Sequence, residues 1–292
     1  LWSVEPVRAD EIPRGARSWS SAVLGCEGWY AGALPPPGFH ILDYTFYYSA
    51  HKLKGQNGRE VEMPPFTDYE VSVWAHTLRP IYVADTKILG ATPAWHAVIP
   101  FVDRRDSSDF FRDKESGLGD IYVSPLILGW HNPPWHYVAG LDVICPTGEY
   151  YPDRPITIGH NHWTFEPAFA VSYMGKGPIS GHIKLMYDFH TEDNEIEYEE
   201  GDQFHADFSV DYAFGPERHW KAGLNGYYLR SVEEDVWNHQ TIESSEEEVL
   251  AIGPSVGYQG KGWSMELKAQ PEIRAKNRPK GTSVWFKITY SF

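Results

Sequence analysis

The 292-residue sequence has little of what most function classes need. Cysteine is nearly absent: Cys26 and Cys145 are the whole complement. Two scattered thiols make no disulfide framework and no zinc-type spacing, and whether they pair is left open. Basic charge is scarce. Against 40 Asp and Glu stand 25 Lys and Arg, for a net charge of −15. That balance argues against nucleic acid as a partner, because phosphates demand a basic stripe. No apolar run approaches the ~18 residues of a spanning helix. No basic n-region followed by an apolar stretch opens the chain at Leu1, and a processed chain would look the same. HExxH is missing, and no enzyme is expected.

Aromatic residues are abundant, at 15% of the chain, which excludes intrinsic disorder. The apolar pattern has period two, the signature of strands rather than helices. In 204–214, Phe204, Ala206, Phe208, Val210, Tyr212 and Phe214 share one parity, and His205, Asp207, Ser209 and Asp211 the other. In 39–51, His40, Leu42, Tyr44, Phe46, Tyr48 and Ala50 form the more apolar set. The carboxyl-terminal stretch repeats the pattern with Val284, Phe286, Ile288, Tyr290 and Phe292.

Twelve strands follow from this reading: 39–51, 67–83, 91–103, 118–130, 137–149, 163–174, 181–190, 203–214, 219–230, 249–258, 263–272 and 282–292. Pro80, Pro93, Pro100 and Pro125 interrupt three of them, as expected only at edges or bulges. Short connections (84–90, 131–136, 175–180, 215–218, 259–262) alternate with long ones (52–66, 104–117, 150–162, 191–202, 231–248, 273–281). The pattern is an all-β, twelve-stranded, antiparallel up-and-down transmembrane β-barrel over 39–292, with both termini at the short-turn end. Tyr48, Tyr69, Trp95, Trp163, Tyr173, Tyr187, Trp220, Tyr228, Trp263 and Tyr290 fall near strand ends on the apolar parity, as interfacial girdles do. The alternative from another class is a soluble β-sandwich or barrel, a hydrolase or lectin, with the apolar parity inside. Dependence on detergent separates the two.

Four motifs carry a family resemblance: AGALPPPGF at 31–39, GLGDIYVSPLILGWH at 117–131, PTGEY at 146–150, and the terminal TYSF. From about residue 28 onward the chain resembles the bacterial outer membrane proteins of the MetA-pathway of phenol degradation family. The resemblance implies an integral outer membrane location, contact with outer membrane lipid and lipopolysaccharide, and a channel for small molecules. Phe292 resembles the terminal insertion signal that the barrel assembly machinery reads.

With the apolar parity toward lipid, the other parity lines the lumen. Its acidic members are Asp43, Glu70, Asp120, Asp142, Glu166, Asp188, Asp207, Asp211 and Glu266; its basic members are Lys184, Lys221, Lys268 and Lys287. His51, His76, His96, His182, His190 and His205 share it, as do the aromatic residues Tyr47, Trp74 and Tyr227. Nine carboxylates against four lysines predict modest cation preference. Twelve strands lie between filled small barrels and wide porins, so the expected pore is narrow. Residues 1–38 are expected to plug the periplasmic side or lie across the barrel end.

The acidic loops 192–202 and 233–248 lack EF-hand spacing and read as solvated charge runs. His160 with His162, and His131 with His136, fall short of a ligand set, so no metal or other cofactor is expected. The functional expectation is a monomeric channel for passive diffusion of small polar, ionic or aromatic solutes. The alternative within that class is uptake of monoaromatic hydrocarbons.

Overall fold

The computed structural model describes residues 22–154 and 156–292. Residues 1–21 of the expected N-terminal segment lie outside the described residues. Sixteen strands follow in chain order: β1 (Gly38–Leu53), β2 (Glu70–Val83), β3 (Thr92–Ser107), β4 (Arg112–Leu118), β5 (Ile121–Asn132), β6 (Trp135–Cys145), β7 (Thr164–Met174), β8 (Ile179–His190), β9 (Tyr198–Glu199), β10 (Gln203–Phe214), β11 (Trp220–Ser231), β12 (Val236–Trp237), β13 (Gln240–Thr241), β14 (Glu248–Gln259), β15 (Trp263–Lys276) and β16 (Pro279–Ser291). Each long strand pairs antiparallel with the next, and β1 pairs with β16 to close the cylinder. Strands β4 and β5 both pair with β3 and together make one stave, so the barrel has twelve. The short β9, β12 and β13 form a separate sheet within the loops after β8 and β11.

The outward face explains why the barrel sits in lipid. Phe39, Leu78, Tyr82, Trp95, Phe101, Phe165, Phe169, Val210, Leu224, Ile252, Leu267, Phe286 and Ile288 are all exposed large hydrophobic residues. Such a surface overturns the soluble reading, because a water-soluble barrel would turn these inward. At the short-turn end the aromatic residues cluster: Tyr82 stacks on Trp95, Trp135 meets Tyr173, and Tyr258 bridges Trp220 and Trp263. Phe292 packs on both Phe39 and Tyr290. Tyr48 and Tyr69, expected in the girdles, instead lie buried inside.

Two connections expected to be long are tight turns, at 108–111 and 277–278. The chain there stays paired beyond the expected strand ends: β3 with β4, β15 with β14, and β16 with β1. A 16-residue strand tilted as barrels require rises about 40 Å, well beyond an apolar band of about 25 Å. The wall therefore stands above the bilayer at the long-loop end.

The prolines mark irregular pairing. The β5–β6 register slips around Pro125, and the β3–β5 register slips between Ala94 and His96. The slip at Pro125 reverses the inward set of β5: Ser124 is buried, Leu126 is exposed and Ile127 is buried. A bulge adds one residue to one strand, so every side chain beyond it changes face.

Candidate permeation pathway

Residues 22–37 run down the inside of the barrel. At the long-loop end Ala22 and Leu24 pack on Tyr227, Leu229, Val249 and Ala251. Midway, Asp207 accepts hydrogen bonds from the backbone N–H of Gly25 and of Glu27, both at 2.9 Å. Lys268 donates to the carbonyls of Cys26 and Glu27, at 3.0 and 2.7 Å, and Gln270 donates to that of Gly25. Gly25 adopts φ +70, and a Cβ there would meet the Gln270 side chain at 2.4 Å, so only glycine fits. Lower down, Lys221 sits 4.3 Å from the centre of the Tyr30 ring, and Ser172 accepts from the Gly32 N–H. Near the short-turn end, Leu34 packs into the cluster of Ile81, Val83, Ala94 and Ile127. His40 lies 2.9 Å from the Pro36 carbonyl and 2.8 Å from Ser291.

The side chains that hold Gly25, Cys26, Glu27 and Gly32 by their backbone sit on β7, β10 and β15, and the one at Pro36 on β1. A buried N–H needs an acceptor, and a buried carboxylate needs donors. Asp207 and the peptide groups of 25–27 satisfy one another.

The side facing β2, β3, β5, β6 and β8 is less filled. A cavity of about 400 Å³ lies toward the short-turn end, bordered by Tyr30, Leu34, Ile81, Ile127, Val138, His96, Asp142 and Lys184. A second, of about 230 Å³, lies toward the loops, bordered by Phe46, Tyr48, Arg104, Asp120, Tyr122, Ile158, Tyr227 and Glu272. Between them is a neck of about 70 Å³. It shares Glu27, Arg79, His96, Asp142 and Lys184 with the first cavity, and Tyr122, Thr77, Pro100 and Trp285 with the second.

Ionised groups border the neck beside apolar ones. Arg79 donates to Glu27 at 2.5 Å and reaches His96 and the Tyr44 hydroxyl. His96 lies 2.9 Å from Asp142, and both contact Ser124. Lys184 bridges Glu166 at 3.4 Å and Asp142 at 3.9 Å. His205 stands between Asp188 and Glu166 at 3.1 and 3.6 Å. Away from the neck, His182 and Lys221 both contact Asp211, and Lys287 pairs with Glu266 at 2.9 Å.

The sequence-derived lining thus divides. His96, Asp120, Asp142, Glu166, His182, Asp188, His205, Asp207, Asp211, Lys221, Tyr227, Glu266, Lys268 and Lys287 are buried, and Lys184 is largely so. Asp43, Tyr47, His51, Glu70, Trp74 and His76 are on the outer face, a correction to the expectation for β1 and β2. Asp43 pairs with His76, His51 with Glu70, and Tyr47 packs on Trp74 with 4.9 Å between ring centres. The inward set of β1 is the apolar one: His40, Tyr44, Tyr48 and Ala50 are buried. The cause is a filled lumen, which is itself a protein core. Tyr48, Ala50, Tyr69 and Val71 pack there as core residues do. Tyr48 and Tyr227 spend their hydroxyls on Glu272.

Periodicity missed several interior charges. Arg79 and Glu27 are the clearest; Arg79 interrupts the apolar parity of β2, which was the available signal. Arg104 pairs with Asp106, which also accepts from Tyr69, in a region expected to be loop. Arg278 pairs with Glu247. Arg79, Arg104 and Arg278 enter the interior together with Glu27, Asp106 and Glu272, and Asp43 and Glu70 leave it, so acidic groups still outnumber basic ones inside. Asp120, at the break between β4 and β5, accepts from the backbone of Gly148 and His160. His131 and His136 face each other at 3.1 Å across a hairpin and make only a pair. Cys26 and Cys145 are both free thiols.

The loops between β6 and β7 and between β8 and β10 meet over the second cavity. Ile156 and Ile158 are buried under them. Burial, with His160 beside it, pushes the His162 imidazole down to about 3, so this ring is neutral at physiological pH.

Residues 50–288 match the family model for the MetA-pathway of phenol degradation. The chain belongs to that family. No curated protein matches the sequence. Among solved structures, an outer membrane channel from Pseudomonas putida F1 is similar over 89% of this chain and 97% of that one, with a TM-score of 0.79 at 15% identity. The β domain of the Bordetella autotransporter Brka is similar over 87% of this chain and 100% of that one, with a TM-score of 0.50 at 9% identity. The shared property is the fold. The family member described here is a closed twelve-stranded β-barrel of the outer membrane type.

Proposed function

We propose that this family member is a channel for passive diffusion of small polar or ionic solutes, aromatic acids and phenols included, across the outer membrane. Solutes pass beside the seated N-terminal segment, through the two cavities and the neck that joins them. The observation that carries this reading is the neck: it shares residues with both cavities and is bounded by ionised groups and apolar ones together. Arg79 and Lys184 offer charge to an anionic or hydroxylated head, while Tyr122, Met186 and Trp285 offer apolar surface to a ring. A bare hydrocarbon would strip hydration from the Arg79–Glu27 and Lys184–Glu166 ion pairs and return no hydrogen bond, a desolvation that costs roughly several kcal/mol. That cost disfavours the hydrocarbon reading.

The segment 22–37 acts as a luminal plug that narrows the bore without closing it. Cation preference is weak, since basic and acidic groups alternate around the neck. In planar bilayers under a salt gradient, small discrete steps and a reversal potential near zero or slightly cation-selective are expected. In liposomes, benzoate and phenol enter faster than toluene exceeds its own passive leak. Large porin-like steps, or a toluene flux that alone depends on the protein, would overturn the assignment.

A further inference from the structure

The loop junction above the second cavity holds two histidines and a glutamate that the permeation pathway does not use. His162 lies in the loop before β7, His190 ends β8, and Glu200 follows β9. All three are buried: His162 is 4% exposed, His190 7% and Glu200 8%. One ligand atom from each lies within 4.8 Å of the other two. The Nε2 atoms of His162 and His190 are buried and have no hydrogen-bond partner. Leaving two such atoms unpaired is costly, and a buried polar atom without a partner calls for an explanation.

We propose that His162, His190 and Glu200 form a binding site for a divalent transition-metal ion of the zinc class. Two neutral imidazoles and one carboxylate are a known zinc donor set, leaving a fourth position for water. Neighbouring side chains hold His190 and Glu200 in place. His190 Nδ1 lies 3.0 Å from the Thr164 hydroxyl, which leaves its Nε2 lone pair for the ion. Glu200 is held by Gln203, which donates to it at 2.8 Å. His162 Nε2 and a Glu200 oxygen are 3.7 Å apart. Ligand atoms on a tetrahedral zinc are separated by about 3.4 Å, so the site closes with small side-chain shifts.

The ion would fasten the loop that carries His160 to the loop that carries β9. His160 is the residue that reaches Asp120 at the upper cavity. Metal binding therefore fixes the roof of the pathway. The selectivity expected is for Zn²⁺ and Co²⁺ over Ca²⁺ and Mg²⁺, because imidazole nitrogen suits the former.

The test uses the untagged full chain in detergent, stripped with EDTA. Zn²⁺ is titrated by calorimetry, and Co²⁺ is titrated by its visible absorption. One saturable Zn²⁺ per chain is expected, with a tetrahedral or five-coordinate Co²⁺ band that Zn²⁺ abolishes. His162→Ala and His190→Ala should each weaken binding by about 100-fold or more, while the pair variant His131→Ala, His136→Ala leaves it unchanged. Heat-modifiable gel mobility confirms that each variant is a folded barrel. Should the histidine variants fail that check, Glu200→Gln decides, with a loss of about tenfold or more expected. No saturable Zn²⁺ binding by the folded wild-type chain overturns the proposal. So does binding that survives these substitutions, or that is lost instead in His205→Ala, where a second group of Glu166, Asp188 and His205 lies.

Discussion

The two sides of the lumen carry the same kinds of residue and use them differently. On the seat, Asp207, Lys268 and Gln270 bind backbone groups of residues 25–27. On the facing side, Arg79, His96, Asp142, Glu166 and Lys184 bind mainly each other and Glu27, and four of these five border both the first cavity and the neck. A charge that satisfies a peptide group is committed to structure. A charge that answers another side chain beside a cavity is, in the proposed channel, placed to meet a solute. Both are buried and both are polar, so burial alone does not separate a seat from a pathway; the partner does.

Substitutions on the two sides should therefore separate two readouts, thiol labelling of Cys26 for seating and reversal potential for permeation. Asp207→Asn replaces one acceptor of the Gly25 and Glu27 N–H groups with an amide donor. Hydrogen bonds to a charged group contribute about 1.5–3 kcal/mol, so labelling of Cys26 should rise about 10- to 150-fold. An unchanged rate would mean that Asp207 does not seat the segment. Lys184→Gln should leave Cys26 labelling within about twofold and move the reversal potential toward cations, raising the cation-to-anion permeability ratio about two- to fivefold, less at high salt. If it releases Cys26 instead, the two sides are not distinct. Tyr30→Ala removes a cation–π contact with Lys221, and a contribution of about 0.5–2 kcal/mol gives a rise in labelling of about 2- to 30-fold, below that of Asp207→Asn. The smallest effect belongs outside. Asp43→Asn should alter neither labelling nor reversal potential, and a shift like that of Lys184→Gln would place Asp43 in the pathway after all.

How much of this was legible in the sequence depended on which face carried the stronger constraint. Strand β10 read correctly because its two faces meet opposite solvents: Phe208, Val210 and Tyr212 meet lipid, while His205, Asp207 and Asp211 face a polar interior. Strand β1 did not, because its inward face packs as a core, with Tyr44 and Tyr48 tied down through their hydroxyls. Of its outward polar residues, Ser49 and His51, with Glu70 of β2, fall toward the long-loop end of the wall, while Asp43 pairs with His76 at the level of Leu78 and Phe101. Parity measures contrast between faces, and it points the wrong way where a filled lumen is more apolar than an exposed rim. Arg79 was missed for the same reason, standing among Val71, Val73, Ala75 and Ile81, which read as a lipid face. Its partner Glu27 lies outside any strand, and only the fold brings the two together across 52 positions.

The central claim is that solutes pass beside a segment seated in the lumen, and that this segment sets the bore. The most direct measurement compares single-channel conductance of the full chain with that of a chain lacking residues 1–33, both checked for folding by heat-modifiable mobility. A severalfold larger conductance in the truncated barrel, with the reversal potential still responding to Lys184→Gln, is the predicted result. Equal conductance from the two folded barrels would contradict it, since the bore would then be set by the wall or the loops and not by the segment.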